Sequence, residues 1–247
     1  MAVMLVTGGG RGIGAATVRL AAAHGYDVAV NYAHSADAAH ALVDELVASG
    51  RRAIAIRGDV AVEADIGALF AAVDDELGGL DVLVNNAGVI GQHGPLADLD
   101  ATQLRATLDV NVVGAFVCAR EAIRRMSTLT GGRGGAIINV SSRAAVLGGP
   151  NEWIAYAASK GAIDTMTVGL AKEVGGAGIR VNGVRPGLID TDIHQAAPPG
   201  RVGRLLPGVP MARVGTADEV AAAIVWLASD AASYVTGTMI DVTGGRL

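Results

Sequence analysis

The chain has 247 residues, of which 51% are apolar and only 3% aromatic, and its formal net charge at neutral pH is -5. That length is sufficient for one large α/β domain, and the scarcity of aromatic residues means that the core must be built from Ala, Val, Leu and Ile. Because the chain is mildly acidic and has no block of like charges, nucleic acid and an anionic membrane are disfavoured as partners.

Apolar runs of strand length alternate with Ala-rich helical stretches along the whole chain. Strands are predicted at residues 3–7, 27–31, 53–57, 81–84, 136–141, 179–184 and 238–242. Helices are predicted at residues 14–24, 36–49, 63–77, 101–126, 155–174 and 217–227. Such alternation implies parallel strands joined by right-handed crossovers. We therefore predict a single α/β domain over residues 1–247, a doubly wound (Rossmann) seven-stranded parallel sheet with helices on both faces and its ligand at the carboxyl ends of the strands.

The stretch 188–214, which follows the sixth predicted strand, is rich in Pro, Gly and Arg. Its position places it over the ligand edge of the sheet, where a long insertion is typical of a lid or substrate loop. A disordered surface loop is the alternative. His194 falls within this stretch and could touch substrate, although a solvated role is favoured.

Cysteine and histidine usage limits the chemistry further. The single cysteine, Cys118, excludes an internal disulfide and a zinc site built on cysteines, and we expect it to be a core residue. The histidines share no metal-ligand spacing, so no metal site is predicted. No apolar run has the length of a membrane span and the sequence opens directly with a strand, so we expect a cytoplasmic protein.

A glycine-rich turn, Thr7-Gly8-Gly9-Gly10-Arg11-Gly12-Ile13-Gly14, joins the first strand to the first helix. Glycines let the backbone turn tightly and approach a pyrophosphate, and the start of the helix offers free N–H groups. The spacing differs from the general Gly-x-Gly-x-x-Gly fingerprint, but its place after an N-terminal strand predicts dinucleotide binding. The expected contacts are Gly8, Gly10, Arg11, Gly12, Ile13 and Gly14.

The end of the second strand predicts which dinucleotide binds. NAD-binding proteins usually place an acidic residue there for the ribose 2′-hydroxyl. Here the strand ends with Asn31 and Tyr32, followed by Ser35, and its only acid, Asp27, lies at the opposite end. Arg11 could pair with a 2′-phosphate. The pattern therefore favours NADP(H) over NAD(H), with Asn31, Tyr32 and Ser35 beside the cofactor.

Tyr156 and Lys160 are four residues apart in a predicted helix and therefore point from the same face. A nearby ammonium favours the phenolate, so we expect Lys160 to lower the pKa of Tyr156 and make it a usable general acid or base. Ser141 and Ser142 end the fifth strand at the ligand edge, where they can converge with this pair. Alternation along the strand puts the two serines on opposite faces, so only one can face the cofactor.

With these residues in this order, the chain resembles the single-domain short-chain dehydrogenases/reductases over essentially its whole length. It looks nearest to the 3-oxoacyl-carrier reductase and glucose dehydrogenase-like members. The resemblance rests on Thr7-Gly8-x-x-x-Gly12-x-Gly14, Asn85-Asn86-Ala87-Gly88, Asn111, Ser142, Tyr156-Ala157-Ala158-Ser159-Lys160 and Pro186-Gly187-x-x-x-Thr191. It implies an NAD(P)-dependent oxidoreductase that passes hydride between a nicotinamide and a ketone or secondary alcohol. A non-catalytic NADP(H) sensor on the same fold is the alternative, but such proteins usually lack the Tyr-Lys pair.

The resemblance implies four catalytic roles. Tyr156 would protonate the carbonyl oxygen, and Ser142 would hydrogen-bond the same oxygen. Lys160 would hold the nicotinamide ribose hydroxyls, and Asn111 would support a water that relays protons to Lys160. Ser142 is favoured over Ser141 because the second serine of such a pair acts in the family, although the interval from Ser142 to Tyr156 is one position longer than in many relatives.

The resemblance also implies the remaining cofactor contacts. The loop after the sixth strand would fix the nicotinamide carboxamide, the end of the third strand would contact adenine, and the residues after the fourth strand would line the adenine-ribose side. These residues are Pro186, Gly187, Ile189 and Thr191; Asp59 and Val60; and Asn86, Ala87 and Gly88, respectively.

Partners and substrate are less constrained. Relatives usually form homotetramers, or homodimers, through the helices at 101–126 and 155–174 and the C-terminal strand. The substrate stays open among a 3-oxoacyl thioester, a sugar, and a small ketone or polyol. Arg124, Arg125 and Arg133 fit either a patch for an acidic carrier protein or solvated arginines at a helix end, which the helix dipole favours.

The two tryptophans have different expected settings. Trp153 directly precedes the Tyr156 helix, so it fits either substrate contact or structural packing. Trp226 recurs with apolar neighbours at helical spacing, which predicts core or interface packing.

Overall fold

The computed structural model describes residues 1–191 and 199–246. Within them, strands form one parallel sheet at the places where the sequence predicts them. They are β1 (Val3–Val6), β2 (Asp27–Tyr32), β3 (Ala53–Arg57), β4 (Val82–Asn85), β5 (Gly135–Val140), β6 (Ile179–Pro186) and β7 (Met239–Val242). Their spatial order is β3-β2-β1-β4-β5-β6-β7, and all neighbours are parallel.

The helices follow the strands in alternation. They are α1 (Gly12–Ala23), α2 (Ala36–Ala48), α3 (Glu63–Leu77), α4 (Ala101–Leu108), α5 (Ala115–Met126), α6 (Ala144–Leu147), α7 (Ile154–Val174), α8 (Arg201–Leu205) and α9 (Ala217–Ala228). The predicted doubly wound α/β fold is confirmed. The short helices α6 and α8 were not predicted, because four or five residues carry too little periodicity to recognise.

The sheet buries both faces, and successive residues of each strand serve opposite layers. In β1, Met4 and Val6 pack with α1, α2 and α9, whereas Val3 and Leu5 pack with α3, α5 and α7. Cys118 belongs to the second layer, as predicted. Trp226 lies on α9 with 42% of its surface exposed, so it is not a core residue of this chain.

The predicted helix at 101–126 is interrupted, which corrects the sequence-based boundary. Between α4 and α5 the chain forms a π-helical turn, Asp109–Gly114. The Asn111 amide bonds to the Val89 backbone beyond β4. A Cβ on Gly114 would come within 2.5 Å of the Val60 carbonyl oxygen beyond β3. Such turns occur often at functional sites, and this one brings the helix against the carboxyl ends of two strands.

The segment after β6 turns back on itself over the sheet edge. Ile189 pairs with Gly215, whose carbonyl accepts from Asp190 N at 2.9 Å and whose N–H donates to Leu188 O at 3.0 Å. The two ends of the predicted substrate loop are therefore joined. Its later described part contains α8 and a 3-10 turn, Leu206–Gly208, whereas His194 lies outside the described residues.

In the described part of the chain, no helix combines the length and the apolar character needed to cross a membrane.

Candidate active site

A cleft of about 1020 Å³ opens at the carboxyl ends of the strands, near the junction of β1 and β4 where the winding of the sheet reverses. Doubly wound sheets bind their ligands at this place. The predicted site residues that line it are Gly8, Gly10, Arg11, Gly12, Ile13, Asn31, Tyr32, Ser35, Asp59, Val60, Asn86, Ala87, Gly88, Ser142, Tyr156, Lys160, Pro186, Gly187, Ile189 and Thr191. Of the predicted residues, Gly14 and Asn111 lie behind the wall rather than on it.

The glycine-rich turn is held in shape from behind by the segment after β4. The Asn86 side chain donates to the carbonyl oxygens of Thr7 at 2.9 Å and Gly8 at 3.0 Å. The Thr7 hydroxyl in turn accepts from the N–H groups of Asn86 at 3.0 Å and Ala87 at 3.1 Å. Asn86 therefore positions the turn through its side chain, in addition to lining the cleft as predicted.

Gly14 explains why this turn needs glycine although it touches no cleft space. A Cβ at this position would lie 2.5 Å from the Gly8 carbonyl oxygen and 2.7 Å from Asn86 Nδ2. Gly8 and Gly12 have φ values of +60° and +53°, which glycine adopts without strain. The start of α1, with Arg11 as its N-cap, has no side-chain cap and no acid in its first turn, so its N–H groups remain available for an anion.

The end of β2 carries no acid in the cleft, as the sequence indicates. Asn31 is fully buried, and its amide donates to Gly58 O at 2.9 Å and accepts from Gly8 N at 3.2 Å. Its side chain, on the wall of the cleft, therefore ties β2 to β3 and to the glycine turn. The Tyr32 hydroxyl meets His40 Nε2 at 3.2 Å. Arg11 is exposed at the same end of the cleft.

The catalytic candidates converge as predicted. The Ser142 and Tyr156 side chains both line the cleft, and Ser142 is close enough to lower the pKa of the Tyr156 phenol. Lys160 Nζ lies 5.7 Å from the centroid of the Tyr156 ring and donates to Val140 O at 2.8 Å. Ser141 points the other way, with its hydroxyl donating to Asp164 Oδ1 at 2.6 Å and to Lys160 O at 3.1 Å. Ser142 is thus the serine that faces the cleft.

The electrostatics of the pair differ from the expectation. Burial raises the pKa of Tyr156 above its ordinary value, while the hydrogen bond from Ser142 and the positive charge of Arg201 act in the opposite direction. Burial also lowers the pKa of Lys160 to about 8, against the opposing charge of Asp164. The predicted lowering of the Tyr156 pKa by Lys160 is therefore not found, because burial of the phenol is the largest effect on its pKa and the opposing effects come from Ser142 and Arg201.

Asn111 stands behind the catalytic helix. Its Oδ1 accepts from Val89 N at 2.8 Å, and its Nδ2 donates to Val89 O at 2.8 Å and to Ser159 Oγ at 3.0 Å. Gly88 lies between it and Lys160, since a Cβ there would be 3.3 Å from Asn111 Oδ1 and 3.4 Å from Lys160 Nζ. In this structure both amide protons of Asn111 are used by protein groups, so its direct effect is to position α7 against the loop after β4.

Thr191 brings the loop after β6 to the glycine turn. A Cβ on Gly12 would meet Thr191 Cγ2 at 3.5 Å. The segment predicted for the nicotinamide and the segment predicted for the pyrophosphate therefore face each other across the cleft.

The wall of the cleft near the start of α7 contains charged residues that the sequence analysis did not identify. Glu152 bonds to Arg201 Nε at 3.0 Å and is also paired with Arg204. The Arg201 guanidinium lies over the Trp153 ring, 4.7 Å from its centroid. Arg246 lines the same cleft. No local pattern could have found this group, because its members are brought together by contacts across about fifty residues of sequence.

No group of three or more His, Cys, Asp or Glu side chains that could hold a metal ion occurs within the described ranges.

Comparison with known proteins agrees with this site. A family model described as enoyl-(acyl carrier protein) reductase matches residues 8–246. The crystal structure of a short chain dehydrogenase from Burkholderia cenocepacia J2315 in complex with NADP is similar at a TM-score of 0.92 and 39% sequence identity, covering 98% of this chain and 96% of that one. The chain belongs to the short-chain dehydrogenases/reductases.

Two curated relatives extend this result. The uncharacterized oxidoreductase YgfF of Escherichia coli (strain K12) is 50% identical to this short-chain dehydrogenase/reductase over 247 residues, which is 100% of both proteins. A 3-oxoacyl-[acyl-carrier-protein] reductase of Synechocystis sp. (strain ATCC 27184 / PCC 6803 / Kazusa) is 39% identical over 99% of this chain and 96% of the relative. The protein is an oxidoreductase.

Proposed function

We propose that this short-chain dehydrogenase/reductase reduces a ketone to a secondary alcohol with NADPH, and catalyses the reverse reaction, with Tyr156 as general acid and base. The proposal rests on the presence of Tyr156, Ser142 and Lys160 together on the cleft wall. Ser142 is close enough to lower the pKa of the Tyr156 phenol, and Lys160 Nζ lies beside the tyrosine ring.

The residues at the glycine turn fit a dinucleotide. The close approach at Gly14 leaves the turn no room for a side chain, and the uncapped start of α1 faces the cleft with free N–H groups. These features suit a pyrophosphate at Gly12 and Ile13. Further along the cleft, Pro186 and Thr191 would flank the nicotinamide, and the Lys160 ammonium would hold its ribose hydroxyls.

When bound, the nicotinamide supplies or accepts the hydride. In the reductive direction the Tyr156 phenol donates its proton to the carbonyl oxygen, so that carbon gains hydride and oxygen gains a proton. The Ser142 hydroxyl donates a hydrogen bond to the same oxygen and stabilises its developing charge. The raised pKa of Tyr156 keeps the phenol protonated in the free protein, which suits the role of acid.

A substitution pair tests the chemistry. Tyr156→Phe removes the acidic proton and retains the ring, so we expect carbonyl reduction to fall by about 100-fold or more, while NADPH binding is retained. Tyr234→Phe is the matched control, because Tyr234 is fully exposed. Turnover is followed by loss of NADPH absorbance. Binding of NADPH without turnover of any carbonyl by the unaltered protein would instead favour the non-catalytic sensor.

The preference for NADPH is supported by the acid-free end of β2 and by the exposed Arg11 beside it. Replacing Arg11 with Gln should weaken NADPH binding by about tenfold and leave NADH binding unchanged, since only the former carries the 2′-phosphate. Arg51→Gln, which removes an exposed arginine outside the cleft, is the control. Calorimetric titration with each dinucleotide measures both. Equal affinities in the unaltered protein would contradict the preference.

Assembly as a homotetramer, or a homodimer, is also proposed. Apolar side chains remain exposed on the π-helical turn, α5 and α7, among them Val113, Phe116 and Val168, and a shared interface would cover them. Sedimentation at equilibrium tests this, and a monomer at micromolar concentration would contradict it.

The arginine cluster at the C-terminal end of α5, Arg124, Arg125 and Arg133, fits solvated, paired arginines better than a docking patch for a carrier protein. Arg124 pairs with Glu121, Arg125 pairs with Asp74 and Glu121, and Arg133 pairs with Asp81. Because each of these guanidinium groups already has a carboxylate, the cluster offers little free positive charge to an acidic protein.

A further inference from the structure

Two buried hydrogen-bond donors beside the cleft have no acceptor among the described residues. Among the described residues, Arg143 Nε and Trp153 Nε1 are the only buried side-chain nitrogen or oxygen atoms without a hydrogen-bond partner. Both residues line the cleft, and Trp153 is only 4% exposed. Buried donors in native proteins are nearly always paired, so two orphans on one wall point to an acceptor that a ligand brings.

The same wall carries more positive than negative charge. Among the described residues, Arg201 and Arg204 pair with the carboxylate of Glu152, and Arg246 is close enough for its pKa to be affected by the same carboxylate. Burial lowers the pKa of Arg246, and the positive charges of Arg201 and Arg143 lower it further. In the described ranges, these three guanidinium groups therefore face the single carboxylate of Glu152.

Arg143 is fixed in position without using its orphan nitrogen. Its NH1 donates to Asp241 Oδ2 at 3.0 Å. Asp241 lies 3.7 Å from Arg185 NH1, and Arg185 Nε donates to Asp164 Oδ2 at 2.8 Å. Asp164 in turn accepts a hydrogen bond from the hydroxyl of Ser141, which directly follows β5. The Arg143 guanidinium is thus oriented before any ligand arrives, which lowers the entropy lost on binding.

The charged wall lies close to the reacting groups. Trp153 is the N-cap of α7 and precedes Tyr156 by one helical turn. Arg201, which stacks on Trp153, is near enough to affect the Tyr156 phenol electrostatically. A group bound at this wall would therefore lie on the same side of the cleft as Tyr156.

Resting on the proposed carbonyl reduction, we propose that the substrate is a short oxo acid, or in reverse a hydroxy acid, whose carboxylate binds at the wall formed by Arg143, Trp153, Arg201 and Arg246. A carboxylate supplies two acceptor oxygens and one negative charge, which are the features this wall lacks. A neutral sugar or simple ketone would leave the surplus charge uncompensated.

Trp153 offers a direct binding signal that needs no turnover. The chain has two tryptophans, so Trp226→Phe leaves Trp153 as the sole indole. We would titrate this variant, loaded with NADP⁺, with 4-oxopentanoate, its methyl ester and inorganic phosphate, and follow tryptophan emission. We expect a saturable change with the acid and at least about tenfold weaker binding of the ester.

Adding Arg246→Gln should weaken binding of the acid by about tenfold and leave the ester unaffected, because only a charge-assisted contact is removed. Adding Arg51→Gln, outside the cleft, should change neither. Equal binding of acid and ester, no saturable response to the acid, or a response to phosphate alone would each overturn the proposal.

A turnover experiment separates this inference from the proposed function. Oxo acids of increasing chain length and their methyl esters are compared as substrates with NADPH. A KM lower for the acids, raised by Trp153→Phe or Arg246→Gln with little change in kcat, supports the carboxylate site. Esters reduced as well as acids would overturn the carboxylate site and leave carbonyl reduction intact, whereas failure to bind NADPH would remove the proposed function itself.

Discussion

The lowered pKa of Lys160 should be visible in the pH dependence of the free energy of unfolding. The side chain is 4% exposed, and its pKa is lowered from an ordinary 10.5 to about 8. Between those pH values the unfolded chain holds a proton at this position that the folded protein has lost, so the free energy of unfolding rises with pH. One pKa unit corresponds to ~1.4 kcal/mol, which makes the whole contribution about 3 kcal/mol.

Lys160→Met removes that titration, and Lys172→Met, at the exposed second lysine, is the matched control. Urea unfolding of the three proteins would be compared from neutral pH to about 10.5. The difference between the unaltered protein and Lys160→Met should grow in favour of the unaltered protein by about 3 kcal/mol, and the Lys172→Met difference should stay flat. A flat difference for Lys160→Met as well would refute the argument that burial lowers the pKa of this lysine.

Three further outcomes are expected. Gly14→Ala would place a Cβ 2.5 Å from the Gly8 carbonyl oxygen, so it should destabilise the protein by about 1–3 kcal/mol and weaken NADPH binding. Gly67→Ala, with open space around it in α3, should instead stabilise the protein by about 1 kcal/mol. Equal effects of the two substitutions on urea unfolding would contradict this prediction. Thr7→Val removes a hydroxyl that accepts from two backbone N–H groups and should lower the free energy of unfolding by about 2 kcal/mol. Unchanged stability would contradict the view that these hydrogen bonds hold the glycine turn in place. Cys118, 1% exposed with its pKa raised to about 12 by burial, should react with a disulfide reagent only after unfolding, and prompt labelling of the native protein would show that it is accessible.

The sheet and the catalytic group could be predicted because their signals are local. The period-two pattern of apolar residues in each strand is visible within a few residues. Tyr156 and Lys160 are recognisable from their helical spacing. The glycine turn is recognisable from its place between a strand and a helix. Strand alternation predicted that only one of Ser141 and Ser142 faces the cleft, and the family resemblance favoured Ser142.

The features that were missed depend on contacts between distant segments. The π-helical turn in the predicted helix 101–126 coincides with contacts to Val89 and Val60, which no periodicity in that helix encodes. The bonds of the Asn31 amide to Gly58 and Gly8 likewise join segments that are distant in sequence. The rise in the Tyr156 pKa depends on burial from several elements, and spacing to Lys160 could not reveal it.

The hydrogen bonds between Thr7 and Asn86 limit when the glycine turn can form during synthesis of the chain. The two residues are 79 positions apart, and β1 lies between β2 and β4 in the sheet. During synthesis the glycine turn emerges early but cannot be fixed until β4 has left the ribosome, so the nascent N-terminal third has no finished phosphate cradle. Such long-range pairing slows folding. A dinucleotide that recognises only the glycine turn held by Asn86 therefore stabilises chains in which β1 and β4 have already paired. It does not stabilise shorter nascent chains that lack β4.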